Sequence, residues 1–295
     1  TIPAGLGLRI LVGIDRLPLV TLLLMSCPAF ALVLTLVLYW VHAPGIWYAV
    51  SALGGLLIGE VIGTVLALRH SGLGWSAFGR VTLPRSDSRL LAGSVWLFIV
   101  GIGTPIGLQA GRILLAHLST PVELSGYSLI AQIYAVCWSA LATAGYAYWP
   151  VFVKRRAARE QTVRMWWQLT ATFAAVAAVA MLAFVPLAPV ATRILSGGRI
   201  EVSVWLALAF AALLVMQAIH LPSTVLLTKP SEARWQALWA IVMATLSVGF
   251  GLAAVARFGA VGVVYASALA ILAAQVVPDL AWAPRLVRRR PRCDD

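Results

Sequence analysis

The sequence predicts an all-α integral membrane protein of about eight transmembrane helices, and three observations predict it. Of its 295 residues, 61% are apolar and 11% charged, and the mean hydropathy is +0.93, the composition of a chain whose solvent is lipid. Eight apolar stretches, near 17–40, 45–68, 90–117, 122–150, 165–188, 203–228, 235–255 and 260–280, reach the length of about 20 residues a helix needs to cross the hydrocarbon core. Basic residues gather in every second connection, placing 18 of the 22 Lys and Arg on one side, against Arg193, Arg199 and Arg257 on the other and Arg112 inside a span. Positively charged loops stay inside, so both termini are expected in the cytoplasm of a multi-pass plasma-membrane protein.

Residues 1–16 carry Arg9, Asp15 and Arg16 among apolar residues and read as an inner-surface segment. The chain opens on Thr1 without a cleavable signal pattern, which suggests a chain whose start is missing. Spans one and two (17–68) follow, and Glu60 in the inner half of span two is a candidate for ion coupling. A protonated or locally paired acid is the competing reading. The polar stretch 69–89, with Ser71, Gly72, Gly74, Pro84 and Asp87, is long for a connection within one bundle and is read as a cytoplasmic linker.

Beyond it, 90–280 holds six spans. Span two begins Gly45-Ile46-Trp47-Tyr48-Ala49 and span eight Gly262-Val263-Val264-Tyr265-Ala266, both after a short outer hinge and both running into arginines. This hints at parallel repeats, in which spans one and two complete a first lobe and spans three to eight form a second.

Span three carries Gly103, Gly107 and Gly111 at four-residue spacing, together with Pro105 and Arg112. The glycines suit close helix packing. Arg112 is costly in hydrocarbon, about 2.5–3.5 kcal/mol at a helix centre. It either snorkels to the outer headgroups or faces a watery cavity and holds an anionic group such as phosphate. Span four places Gln132, Ser139, Thr143 and Tyr146 on one helical face, a second candidate substrate-binding set. Interhelical hydrogen bonding is the alternative role for that stripe.

Lys154, Arg155, Arg156, Arg159 and Arg164 lead into span five. Span six repeats the polar-stripe pattern with Gln217, His220, Thr224 and Thr228 around Pro222, where a satisfied interior histidine is the simpler reading. Asp279, beside Pro278 at the end of span eight, is expected at the interface, followed by a basic tail over 281–295. Trp40, Trp47, Trp149, Trp166, Trp167, Trp235 and Trp282 near span ends read as interface anchors.

Several functions are disfavoured. The net charge of +12 follows from the inside bias and attraction to anionic headgroups, and nucleic acid is not an expected partner. Cys27, Cys137 and Cys293 lack pairing or metal-ligand spacing. There is no phosphate-binding Gly-x-x-x-x-Gly-Lys-Ser/Thr loop, no His-Glu-x-x-His and no large outer loop to hold catalytic acids, so no cofactor, metal or catalysis is expected.

The run Gly111-Arg112-Ile113-Leu114-Leu115-Ala116-His117-Leu118-Ser119-Thr120-Pro121-Val122-Glu123-Leu124-Ser125-Gly126-Tyr127-Ser128-Leu129 resembles the segment joining the first two helices of a lobe in the polysaccharide (O-antigen-type) flippases. These belong to the multidrug/oligosaccharidyl-lipid/polysaccharide exporter superfamily. The family's Asp-Arg-apolar helix end, Leu-Ser hinge and Gly-x-Tyr-Ser helix start recur here, with Gly111 standing where the acid is usual. The resemblance extends over roughly 17–280. It implies two six-helix lobes around a cavity of alternating access. Its implied function is ATP-independent translocation of a lipid-linked oligosaccharide across the bacterial cytoplasmic membrane for surface polysaccharide synthesis. Arg112 would contact the diphosphate. Partners would be membrane lipid, the lipid-linked sugar, and either the missing N-terminal helices or polysaccharide-assembly proteins. A cation or drug exporter of the same superfamily, and a non-transporting scaffold or truncated remnant, are the alternative readings.

Overall fold

A computed structural model describes residues 6–14, 16–71, 88–155 and 158–290. Every regular element among the described residues is helical. The chain divides into two compact units, 1–85 and 86–295. The expected linker 69–89 falls largely outside the described residues, of which 72–87 form no part.

The first unit holds α1 (Leu6–Gly13), α2 (Leu17–Trp40) and α3 (Gly45–Ser71). Pro18 sits in the first turn of α2, where a missing N–H costs nothing. The two long helices approach through small residues: a Cβ on Gly55 would lie 2.5 Å from the Ala31 backbone nitrogen. α1 packs on the same pair through Leu11, which is fully buried beside Val20, Leu23 and Ala67.

The second unit runs α4 (Ser88–Leu118), α5 (Pro121–Tyr146), α6 (Trp149–Lys154), α7 (Arg159–Leu195), α8 (Val204–Leu226), α9 (Pro230–Ile271), a π-helical turn (Leu272–Val276) and α10 (Val277–Arg288). The starts are chemically marked. Thr120 accepts the Glu123 N–H ahead of α5, with Pro121 in the first turn, and Ser203 accepts the Leu206 N–H ahead of α8.

α9 is broken at Gly259, whose φ of 52° and ψ of −137° lie outside helical space. There the chain reverses. Ser247 and Ser267 meet across the reversal at 2.9 Å, and the Trp235 and Trp282 rings lie 5.6 Å apart. The limbs 230–258 and 260–271 are therefore antiparallel, and the second continues through the π turn into α10. Among the described residues, seven helical stretches are long and apolar enough to cross a membrane. The hairpin in the last, Ser231–Arg288, makes roughly eight crossings.

α8 and α9 form the centre of this unit. Leu214, Met243 and Ile271 are almost fully buried, and Phe210 is flanked by Tyr127 and Tyr134 at 5.3 and 5.4 Å. The glycine stripe of α4 seats that helix on α9: Gly107 faces Met243 and Ala244, and Gly111 faces Val263. The stripe is thus a packing surface.

The end of the unit that gathers 226–232 and 285–290 is tied by ion pairs. Arg290 grips Glu232 at 2.7 and 3.0 Å and donates to the Leu226 carbonyl, while Arg288 meets Glu160 at 2.9 Å. The helix expected to end near 280 reaches Arg288, because Ala283 and Val287, one turn apart, bury themselves against the α7–α8 core.

Candidate functional site

Within the second unit a cavity of about 170 Å³ lies among α4, α5, α8, both limbs of α9, the π turn and α10. Its polar lining is set by helix periodicity. On α8, Gln217, His220 and Thr224 follow one another at spacings of three and four and share a face. Gln275 in the π turn and Asp279 on α10 are one turn apart and face them. Gln217, Gln275 and Asp279 are each no more than 6% exposed.

His220 Nδ1 lies 2.6 Å from Asp279 Oδ2, and Thr224 Oγ1 lies 3.0 Å from His220 Nε2. With a neutral imidazole, Nδ1–H donates to the carboxylate and the threonine hydroxyl donates to Nε2. With an imidazolium, both ring nitrogens donate, one of them to the hydroxyl oxygen. Tyr134 donates to Gln217 Oε1, which anchors that amide.

Trp235 and Trp239, one turn apart on α9 with ring centroids at 5.4 Å, also line the cavity. Both indole N–H groups are shielded from solvent and have no hydrogen-bond partner among the described residues. Such donors are costly unless something in the cavity accepts from them. The π turn supplies the reason Gln275 faces inward. Pro278 cannot donate to the carbonyl one turn back, and the N–H of Val277 instead reaches Leu272 O, widening the helix and rotating the residues before it.

Of the residues read from sequence as substrate contacts, Tyr146 lines this cavity, alongside Gln217, His220 and Thr224 of the span-six stripe. The rest of the α5 stripe lies on an exposed face: Ser139 donates to Val136 O and Thr143 to Ser139 O, both at 2.8 Å, and Gln132 is exposed beside them. Arg112 is exposed on α4, less than two turns before its end, and does not line the cavity. Glu60 belongs to the first unit, half-buried, with Oε2 shielded and without a hydrogen-bond partner among the described residues. Among the described residues no group of three or more His, Cys, Asp or Glu is arranged to hold a metal ion.

Asp279, expected at the interface, is buried within the unit and paired with His220. Trp235 is a cavity wall. The signal in the sequence was the Gln275/Asp279 spacing of four on span eight, opposite the α8 stripe of the same period. No family model, curated protein or solved structure matches the chain.

Proposed function

We propose that this protein translocates a lipid-linked oligosaccharide across the bacterial cytoplasmic membrane for surface polysaccharide synthesis, with both termini in the cytoplasm. One observation carries the reading: a carboxylate, an imidazole, three carboxamides and two indole N–H groups without a partner among the described residues surround a cavity inside membrane-crossing helices. Ionisable and amide groups at such depth mark substrate or ion paths. Aromatic faces beside mixed donors and acceptors suit sugar rings with hydroxyls at their edges.

The volume limits what enters. About 170 Å³ is close to the ~150 Å³ that accommodates a benzene ring, so one polar group is held at a time. The α5 stripe of Gln132, Ser139 and Thr143 leads along an exposed face to Tyr146, which also lines the cavity. A headgroup moving along the stripe meets the cavity there, while Arg112 takes the diphosphate. The resemblance of residues 111–129 to polysaccharide flippases supports the same substrate class.

The test is transport in liposomes containing the full chain, using a fluorescent lipid-linked trisaccharide and the same lipid diphosphate without sugar. Trp239→Ala and Gln275→Ala should each slow the sugar-bearing lipid about tenfold, a loss of roughly 1.4 kcal/mol of transition-state contact. Rates no different from protein-free liposomes would refute the reading.

A second reading, export of amphipathic cations, draws on the His220–Asp279 pair, which sets a carboxylate beside an imidazole within the helices. Uptake of a lipophilic cation into the same liposomes, abolished by Asp279→Asn and indifferent to the sugar lipid, would favour it.

A further inference from the structure

On the other side of α5 a separate apolar groove of about 200 Å³ runs between α5 and α7, walled by Leu141 and Ala144 on one side and Leu169, Phe173 and Val176 on the other. Leu169 to Val176 spans about 10 Å of helix. The same face of α7 continues toward its N-terminus: Val176, Thr172, Leu169 and Met165 follow at spacings of four, three and four. Next to Met165 is Arg155, whose guanidinium Nη1 contacts the Met165 sulfur at 4.0 Å.

Arg155 is held there. Its carbonyl accepts the hydroxyl of fully buried Thr162 at 2.9 Å, which fixes the backbone while the side chain stays exposed. Arg164 adds a second exposed cation beside Met165. The nearby acid Glu160 does not offset them, because both its oxygens are taken by Arg288 at 2.9 and 3.2 Å. Trp149 and Trp167, both exposed, flank the same end, as expected at headgroup level.

We propose that this groove binds one anionic phospholipid of the bilayer, its acyl chain lying between α5 and α7 and its phosphate held by Arg155. The guanidinium fork matches phosphate oxygens, and the excess positive charge at the mouth selects a lipid with net negative charge over a zwitterionic one. The site is independent of what the protein transports.

Native mass spectrometry of the full chain from mixed micelles, with phosphatidylglycerol and phosphatidylcholine in equal amounts, tests it. The wild-type protein should retain one phosphatidylglycerol about tenfold over phosphatidylcholine, and Arg155→Gln should lower that preference at least fivefold. Ala144→Phe, which fills the groove, should lower retention of both lipids. Arg193→Gln, outside the mouth, should leave the preference unchanged. Photoactivatable phosphatidylglycerol, with the reactive group on its chain, needs no variant: its adducts on the wild-type protein should map to 141–148 and 169–176. Equal retention of the two lipids by the wild type, an Arg155→Gln variant with undiminished preference, or adducts spread evenly over all helices would overturn the proposal.

Discussion

Ser247 and Ser267 are 20 positions apart in the chain, and their hydroxyl oxygens are 2.9 Å apart. In a continuous helix they would be separated by about 30 Å. Ser247 also donates to the carbonyl of Gly107 at 2.6 Å. One buried hydroxyl pair thus joins α4 to both limbs of the α9 hairpin, at the level where the α4 glycines let the backbones approach.

The hairpin depends on Gly259. Its φ of 52° with ψ of −137° is a combination essentially reserved for glycine, and a Cβ there would lie 2.6 Å from the Glu123 carboxylate. Gly259→Ala should destabilise the folded protein by about 1–3 kcal/mol. Gly259→Asn should be no milder, since asparagine tolerates left-handed helical backbone but not this ψ. Unfolding in mixed micelles measures both; an asparagine variant as stable as the wild type would contradict the assigned backbone.

Gly107 and Gly101 lie on the same helix in opposite circumstances. A Cβ on Gly107 would meet the Met243 sulfur at 2.5 Å and the Ala244 backbone at 3.1 Å, whereas nothing lies within 4 Å of one on Gly101. Gly107→Ala should cost about 1–3 kcal/mol through overpacking. Gly101→Ala should be neutral or slightly stabilising, because alanine is the better helix former. The same unfolding assay compares them, and equal effects would show that α4 does not pack on α9 through this face.

Glu232 and Arg290 are 5% and 3% exposed at their side chains. Removing one partner strands a buried charge, so Glu232→Leu or Arg290→Met alone should cost about 3–5 kcal/mol. The double variant should recover most of that loss, because no lone charge remains. Thermal melts of the four proteins form a double-mutant cycle. A double variant as unstable as the sum of the singles would mean that the pair does not act as a unit.

Arg112 distinguishes phosphate binding from snorkelling. If it grips diphosphate, Arg112→Ala should abolish most transport and Arg112→Lys part of it, since lysine keeps the charge and loses the fork. If it only reaches the headgroups, lysine should be fully tolerated and alanine nearly so. Liposome transport at matched protein abundance separates the two, and a fully active alanine variant would remove Arg112 from the mechanism.

Span lengths were legible in the sequence because lipid imposes a local rule: each crossing must satisfy its own backbone and present apolar side chains over a fixed thickness. Residues 17–40 form α2 with the same bounds, and the spans expected at 203–228 and 260–280 appear as α8 and the second limb of α9 running on into α10. Even the turn at 256–259 could be read from Arg257 and Gly259 between two apolar runs. The cavity could be read only in halves. Helical period put Gln217, His220 and Thr224 on one face, and Gln275 with Asp279 on another, but periodicity fixes a face relative to its own axis and says nothing of which neighbour it meets. Only the tertiary structure turned α10 so that Asp279 reaches His220, and brought Trp235 and Trp239 to the same cavity. That choice follows from long-range packing, from small residues admitting α4 against α9 and from the π turn re-aiming the last helix.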